Sequence, residues 1–444
     1  MRRSLAIAGA AALACAAVGT PLSAQGSSVD QHSACMAGRV GAGIASPCDD
    51  GSAVYFSPAG LAMRPSAVGL NLTLIRASSK FEYHAGRQPP LEDNPVRRDP
   101  EVVPVPALWL SYRPNPRLAA AVGVFAPYGL GLEWPVCPTD DADCDQLNFE
   151  GRYTGYDNSL RSIYVQPTVA YQVAPGFSLG AGLDYVRLTI DVSQRADAPS
   201  VGLSGRDIAD ANLKGDGNAL TGHVGAVLRL SPRTTLGARY LHSVKVDMDG
   251  DADFTQIATG TVFDAALAAQ FAPGGPLADQ AIATEIELPA QAVAGLAYRA
   301  TDALMLFADY QWTGWKSFDQ FDIVFENGDT TVLELDYRNT NTFRFAAEYG
   351  WNERLALRAG FRYNTAATPR ATPFLPEGER NYYTVGLGYR VTPALSADLA
   401  FQYINQPPRE GAVRPGGGRV GVYSSSGQVF GFTLAYRFGG GGAP

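Results

Sequence analysis

Arg344, Arg358 and Arg362 offer the clearest chemistry in this chain, because they fall on neighbouring stretches of alternating sequence and share one face by parity. Guanidinium forks on one interior face can meet a carboxylate with two parallel hydrogen bonds. The same parity places Asp184, His223, Arg239, Asp309 and Glu348 on that face, so mutual neutralisation that holds an interior segment is the alternative reading. Bond-making chemistry has little support. A nucleophile needs an adjacent base held by a third group, and the chain has only four His. His223 has no evident orienting partner, and His242 falls on the opposite face. Asp247, Asp249, Asp251 and Asp253 alternate, but Gly250 comes too early for a calcium-binding EF-hand loop, which leaves a solvated strand end. No cofactor and no metal is expected.

The elements that carry these residues are read from both ends of the chain. Met1 to Ala24 opens with Arg2 and Arg3, runs through an apolar core and ends in small residues, as a secretory signal does. A lipoprotein signal using Cys15 is the competing reading. Four cysteines remain after the signal, and in an exported protein Cys35–Cys48 and Cys137–Cys144 are the most economical disulfides. A zinc site is poorly served, since no His stands at ligand spacing. The formal net charge of -8 and the scattered lysines argue against a nucleic-acid partner.

No later apolar run is long enough for a spanning helix, yet the composition holds 48 Gly, 21 Tyr and 20 Phe with only 18% charged residues. That combination suits a membrane β-barrel. From Gly427 to Phe438, Phe430, Phe432, Leu434, Tyr436 and Phe438 alternate with small and polar residues, the period-two pattern of a lipid-facing strand. Collecting such runs gives about 14 strands, at 66–84, 102–113, 116–129, 160–173, 176–194, 211–230, 233–254, 284–299, 302–325, 330–350, 353–367, 379–391, 394–406 and 427–438. The fold class is therefore all-β, an antiparallel transmembrane barrel of even strand number with no exposed edge. Tight turns alternate with long connections at 85–101, 130–159, 195–210, 255–283, 368–378 and 407–426, which sets the short turns toward the periplasm. The expected division is a signal at 1–24, a plug or hatch at 25–65, the barrel at 66–438 and a tail at 439–444.

Three stretches bear on family. Ala53 to Leu61 reads AVYFSPAGL, Gly123 to Gly129 reads GVFAPYG, and Tyr310 to Asp319 with Pro376 to Arg380 reads YQWTGWKSFD and PEGER. In their residues and their order along the chain these resemble the motifs of the FadL family of bacterial outer-membrane transporters. Ser57 departs from the family's Asn, losing one arm of an amide while keeping a hydroxyl that can cap a turn. The resemblance implies an N-terminal hatch built on Ser57, Pro58, Ala59 and Gly60. It also implies a lateral opening at a kink in the third strand, at Pro127, Gly129 and Gly131; an ordinary strand end is the plain alternative there.

The function implied is outer-membrane uptake of hydrophobic compounds, most simply long-chain fatty acids. Outer-loop capture, lumenal binding, hatch movement and lateral exit would be its steps. Phe263, Leu267 and Phe271 recur at helical spacing in the long loop 255–283 and are the capture candidates, unless that helix packs on its own barrel. Arg344, Arg358 and Arg362 are the candidates for a substrate carboxylate. Uptake of aromatic hydrocarbons and a general porin are the alternatives. The expected partners are a hydrophobic small molecule and membrane lipid, around a monomer that is not an enzyme.

Overall fold

The computed structural model describes residues 28–88, 94–98, 102–137, 149–318, 320–414 and 420–439. The expected signal, Cys144 and the tail beyond Gly439 lie outside these residues. Alternation builds the wall. Along the last strand Phe430, Phe432 and Leu434 face out while Val429, Thr433 and Ala435 are buried. An exposed belt of this size, continued by Leu70, Leu72 and Leu74 on the first strand, belongs in hydrocarbon and not in water.

Fourteen antiparallel strands close the barrel. They are β1 (Ser66–Tyr83), β2 (Val102–Tyr112), β3 (Leu118–Phe125 and Gly129–Glu133), β4 (Asp157–Ala174), β5 (Phe177–Ala196), β6 (Ala209–Arg229) and β7 (Thr234–Leu241 and Val244–Gln256). The second half holds β8 (Gln280–Leu288 and Gln291–Arg299), β9 (Leu304–Thr313 and Gln320–Phe325), β10 (Thr330–Glu334 and Thr340–Gly350), β11 (Leu355–Asn364), β12 (Arg380–Arg390), β13 (Leu395–Ala412) and β14 (Val420–Phe438). β1 and β14 pair from Ser66–Phe438 to Tyr83–Gly421 and remove the last edge.

The spans differ from the sequence reading mainly at their outer ends. The expected loop 407–426 is largely strand, because Arg409–Ala412 of β13 pair with Val420–Tyr423 of β14. The ladder shifts register between Gln406 and Arg409, where Pro407 and Pro408 supply no N–H. Alternating apolar sequence stops at the membrane, but backbone pairing does not.

The N-terminal segment fills the lumen. It contains α1 (Ala34–Gly38), α2 (Ala53–Phe56) and a tight 3-10 turn at Pro58–Met63. The Ser33 hydroxyl caps α1 by accepting from the Met36 amide at 3.2 Å. α1 lies against β11–β14, and the Pro58–Met63 turn lies against β3–β6, so the segment touches opposite walls. Small residues allow this closeness. A Cβ on Gly180 of β5 would stand 2.5 Å from the Ala59 nitrogen, and one on Gly386 of β12 would stand 2.7 Å from the Gly38 Cα. The Cys35–Cys48 disulfide ties the segment internally across a sequence separation of 13. In the chain-entropy account a loop of that length contributes about 3 kcal/mol.

Candidate functional site

Inward-facing side chains of the wall grip the backbone of the N-terminal segment. Thr433 accepts from the Ala34 amide at 2.7 Å, while Thr384 and Gln402 both donate to the Ala37 carbonyl at 2.8 Å. Asp309 Oδ2 accepts from the amides of Gly43 and Ile44 at 2.7 and 3.1 Å, and Arg239 donates to the Tyr55 carbonyl at 2.6 Å. Within the segment the Ser57 hydroxyl donates to the Ile44 carbonyl at 2.6 Å. One donated bond is what a hydroxyl in place of an amide can supply here.

Two ionic clusters complete the grip. Asp30 is held by Arg344 at 2.8 Å and Arg362 at 2.7 Å, with the Tyr55 hydroxyl donating at 3.2 Å. Burial opposes ionisation of Asp30, but Arg362 and Arg344 outweigh it and hold the carboxyl well below the usual range. In the second cluster Arg39 meets Glu348 at 2.6 Å, and Arg358 bridges Glu348 and Asp398, both at 2.5 Å. Arg344, Arg358 and Arg362, the candidates for a substrate carboxylate, are engaged in this structure by the protein's own Asp30, Glu348 and Asp398. All three side chains, 3–7% exposed, lie against these carboxylates, since a charge this deep is tolerable only when paired. The lumenal face was legible from parity, but its partners were not, because Asp30 and Arg39 are more than 300 residues away in sequence from the strands they meet.

The wall itself has a gap. β2 and β3 pair only from Leu108–Val124 to Tyr112–Ala120, so the backbone of Val102–Ala107 meets no strand on its β3 side among the described residues. Ala126, Pro127 and Tyr128 leave the ladder, and β3 resumes at Gly129–Glu133 against β4 alone. Pro127 cannot donate, and its carbonyl instead accepts from the Val29 amide at 2.8 Å. Ser28 pairs with Tyr128 as a single antiparallel bridge. The Val29 side chain fills the space behind the gap, packed with Ile75, Val103, Val105 and Val429. The start of the described chain thus stands in for missing wall.

Directly beside it is a small apolar chamber of about 60 Å³. Ile75, Leu130, Leu132, Ile404 and Val429 form its sides, Ser28 and Gln31 its floor, and Leu375, Pro376 and Glu377 its roof. Two cations reach it. Arg98 is buried and donates to the Gly131 carbonyl at 3.1 Å, and Arg380 pairs with Glu377 at 3.0 Å. Trp134 pins the roof by donating to the Pro373 carbonyl at 2.9 Å, within an aromatic cap that includes Phe149, Phe81 and Tyr423. Sequence reasoning singled out Pro376 to Arg380 as a motif but missed Arg98 and Trp134. Both lie where period-two alternation has ended, so only the unusual Trp-Pro pair at 134–135 could have drawn attention.

Trp315 and Phe318 pack with Tyr337, and Trp315 also meets Tyr128 with ring centroids 5.9 Å apart. The aromatic motif at 310–319 therefore buttresses the interrupted part of β3. Asp319 lies outside the described residues. In the long outer loop a helix, α3 (Asp264–Ala268), does form, but Leu267 and Phe271 pack on Leu203, Ile208 and Ala209 of the same barrel. Only Phe263, beside the 90% exposed Val262, stays open, so the three residues do not make one capture face. Amphipathic spacing located the helix, and the neighbouring loop took up its apolar side.

The reading that His223 lacks an orienting partner is also corrected. Asp184 Oδ1 lies 2.9 Å from Nδ1, and Thr168 Oγ1 lies 2.9 Å from Nε2. This chain is sealed in the wall between β4, β5 and β6, with no serine in it. Cys137 is disulfide-bonded, with its partner beyond the described residues.

The family model described as outer membrane protein transport protein (OMPP1/FadL/TodX) matches residues 15–438. The chain belongs to this family. It is an outer-membrane transporter of hydrophobic compounds. Outer membrane protein P1 of Haemophilus influenzae is 24% identical, over 83% of each chain. Among solved structures, a Pseudomonas aeruginosa FadL homologue superposes with a TM-score of 0.78 at 24% identity, covering 93% of this chain and 99% of its own. The Pseudomonas putida toluene transporter TodX gives 0.66 at 18% identity, covering 92% and 99%. These likenesses establish the barrel of this transporter family and leave the cargo to the chemistry of the lumen.

Proposed function

We propose that the chain carries long-chain fatty acids, or close amphipathic relatives, from the outer loops through the lumen and out through the gap between β2 and β3. The observation that carries this reading is the juxtaposition at one place of an apolar chamber, two arginines and the Ser28–Val29 stretch that seals the gap. An acyl chain entering the chamber would displace Val29 from its apolar neighbours, and its carboxylate would compete with Glu377 for Arg380 or meet Arg98. The segment Gln31–Leu61, with Ser57, Pro58, Ala59 and Gly60 at its turn, is then the hatch. Pro127, Gly129 and Gly131 are then the hinge of the lateral opening.

A chamber of about 60 Å³ is far below the several hundred Å³ that drug-sized ligands occupy. The described state is therefore closed, and loading requires the roof at 375–377 or the Ser28–Val29 stretch to move. Phe263 and Val262, exposed in the loop 255–283, offer first contact to an apolar cargo. The small chamber also favours a second reading, in which an aromatic hydrocarbon such as toluene is the cargo. Relatives carry names of both kinds, including a toluene transporter.

Binding of oleate, toluene and a sugar control to the detergent-purified protein separates the two, measured also on Arg98→Gln and Arg380→Gln. Saturable oleate binding, weakened about 10- to 100-fold by loss of a charge-assisted bond, is the expected result. Toluene binding that ignores both substitutions would move the cargo to the hydrocarbons. Large open-channel conductance without binding of either would overturn the transporter reading in favour of a porin.

A further inference from the structure

The short-turn end of the barrel has a charge pattern that cargo transport through the wall does not use. The turns at 113–117, 229–233, 299–303, 350–354 and 390–394 contain seven arginines and two acidic residues, giving +5 on a chain whose formal net charge is -8. Five of these arginines, Arg229, Arg233, Arg299, Arg354 and Arg390, are exposed and line one cleft of about 680 Å³. Its roof is the underside of the N-terminal segment, from Ala45 to Asp50 with Met63 and Arg64, so the cleft lies on the barrel axis.

Deeper in the cleft, cations and anions are matched. Arg64 and Arg437 meet Asp49 at 3.1 and 3.7 Å, and Arg39 and Arg358 meet Glu348. At the rim they are not: the five arginine side chains make no ion pair or hydrogen bond among the described residues. Every cation of these turns is arginine and none is lysine. The planar fork suits bidentate recognition of carboxylates, where an ammonium would act as a point charge. By the orientation rule for such barrels, this end faces the periplasm.

We propose that this mouth is a docking surface for a water-soluble periplasmic protein with a carboxylate-rich face. Two features favour a soluble partner over anionic lipid. The arginines line an open cleft beneath the N-terminal segment, whereas lipid headgroups surround the wall from outside. Charges concentrated in a concave mouth also focus the field on an approaching solute and speed its encounter. At physiological salt the field of such a rim reaches about 8 Å.

The test uses the full chain in nanodiscs made only of zwitterionic phosphatidylcholine. The probe is a fluorescent glutamate-rich peptide of about 20 residues, long enough to span the cleft, with its glutamine counterpart as control. Saturable binding of the glutamate peptide at low salt is expected, with none for the control. Binding should fall about tenfold or more when Arg229, Arg233, Arg299, Arg354 and Arg390 are all replaced by Gln, and also when salt is raised. Unchanged far-ultraviolet circular dichroism and an unchanged thermal unfolding transition establish that the substituted barrel is intact. Equal binding to the substituted protein, or no binding at all, would overturn the proposal. So would phosphatidylglycerol enrichment around the parent barrel in a second set of mixed-lipid nanodiscs, lost on substitution and with no peptide binding in either set, which would assign the rim to lipid headgroups. Because the rim and the chamber are at opposite ends of the N-terminal segment, failure here and failure of the cargo reading are separately visible.

Discussion

Asp30→Asn is the most informative single change, because one carboxylate satisfies two arginines that nothing else fully neutralises. The side chains of Asp30, Arg344 and Arg362 are 4%, 3% and 4% exposed, so the substitution removes an anion from a site that water does not reach. Breaking a buried pair in this way costs about 3–5 kcal/mol, because the cations left behind remain desolvated. Arg344 retains its 2.8 Å bond to Gln311 and Arg362 its 2.6 Å bond to Asn364, which soften the loss without supplying charge. At 1.4 kcal/mol per decade, the equilibrium for release of the Ser28–Gln31 stretch should rise by about 100-fold or more. Hydrogen exchange of the purified protein, followed by mass spectrometry of peptides covering residues 28–41, reads this directly. Protection at Val29, whose amide bonds Pro127, should fall by about that factor, while the disulfide-bounded region near Cys48 changes less. Asp398→Asn is the control, since Arg358 keeps Glu348. Exchange at Val29 within about threefold of the parent would refute the latch, since that factor corresponds to well under 1 kcal/mol. The carboxyl's pKa lies below its ordinary value of 3.8 in the folded chain. Its stabilisation is therefore present above that ordinary value and lost only as pH falls through the lowered one, so Asp30 should add no pH dependence between about pH 5 and 8.

His32 should add one. Its ring is wholly buried among Tyr55, Phe125 and Trp109, and burial pushes its pKa down from 6.5 to about 4. A cationic acid with a lowered folded pKa contributes fully above its unfolded value and loses that contribution as pH falls from about 6.5 toward 4. The loss is about 2 kcal/mol at pH 5, which should appear as looser closure of residues 28–41 in exchange corrected for intrinsic rates and should vanish in His32→Phe. Gly180→Val should push the Pro58–Ala59 turn off the wall, since its Cβ would lie 2.5 Å from backbone that cannot yield. Overpacking of this kind costs about 1–3 kcal/mol or more, and single-channel recordings in planar bilayers should show raised conductance. Unaltered conductance would mean that the lumen is blocked elsewhere.

The architecture was legible in the sequence for a definite reason. Lipid outside and a filled lumen inside force a strict period of two, so Leu70, Leu72 and Leu74 or Phe430, Phe432 and Leu434 declare both strand and face without any knowledge of neighbours. Parity likewise put Arg344, Arg358 and Arg362 on the lumenal side, and the turn at Ser57–Gly60 was marked by its own Pro and Gly. What parity cannot give is the partner. Asp30, Arg98 and Glu377 carry no periodic signal, and whether an inward arginine faces solvent, cargo or a carboxylate depends on which segment the closed barrel brings opposite it. The same holds for the outer loop, where the spacing of Phe263, Leu267 and Phe271 fixed a helix but only the neighbouring loop decided which side it buries. Local order follows from residue period and turn chemistry, which are written along the chain. The chamber, the sealed gap and the arginine rim arise from residues hundreds of positions apart, and only closure of the barrel brings them together.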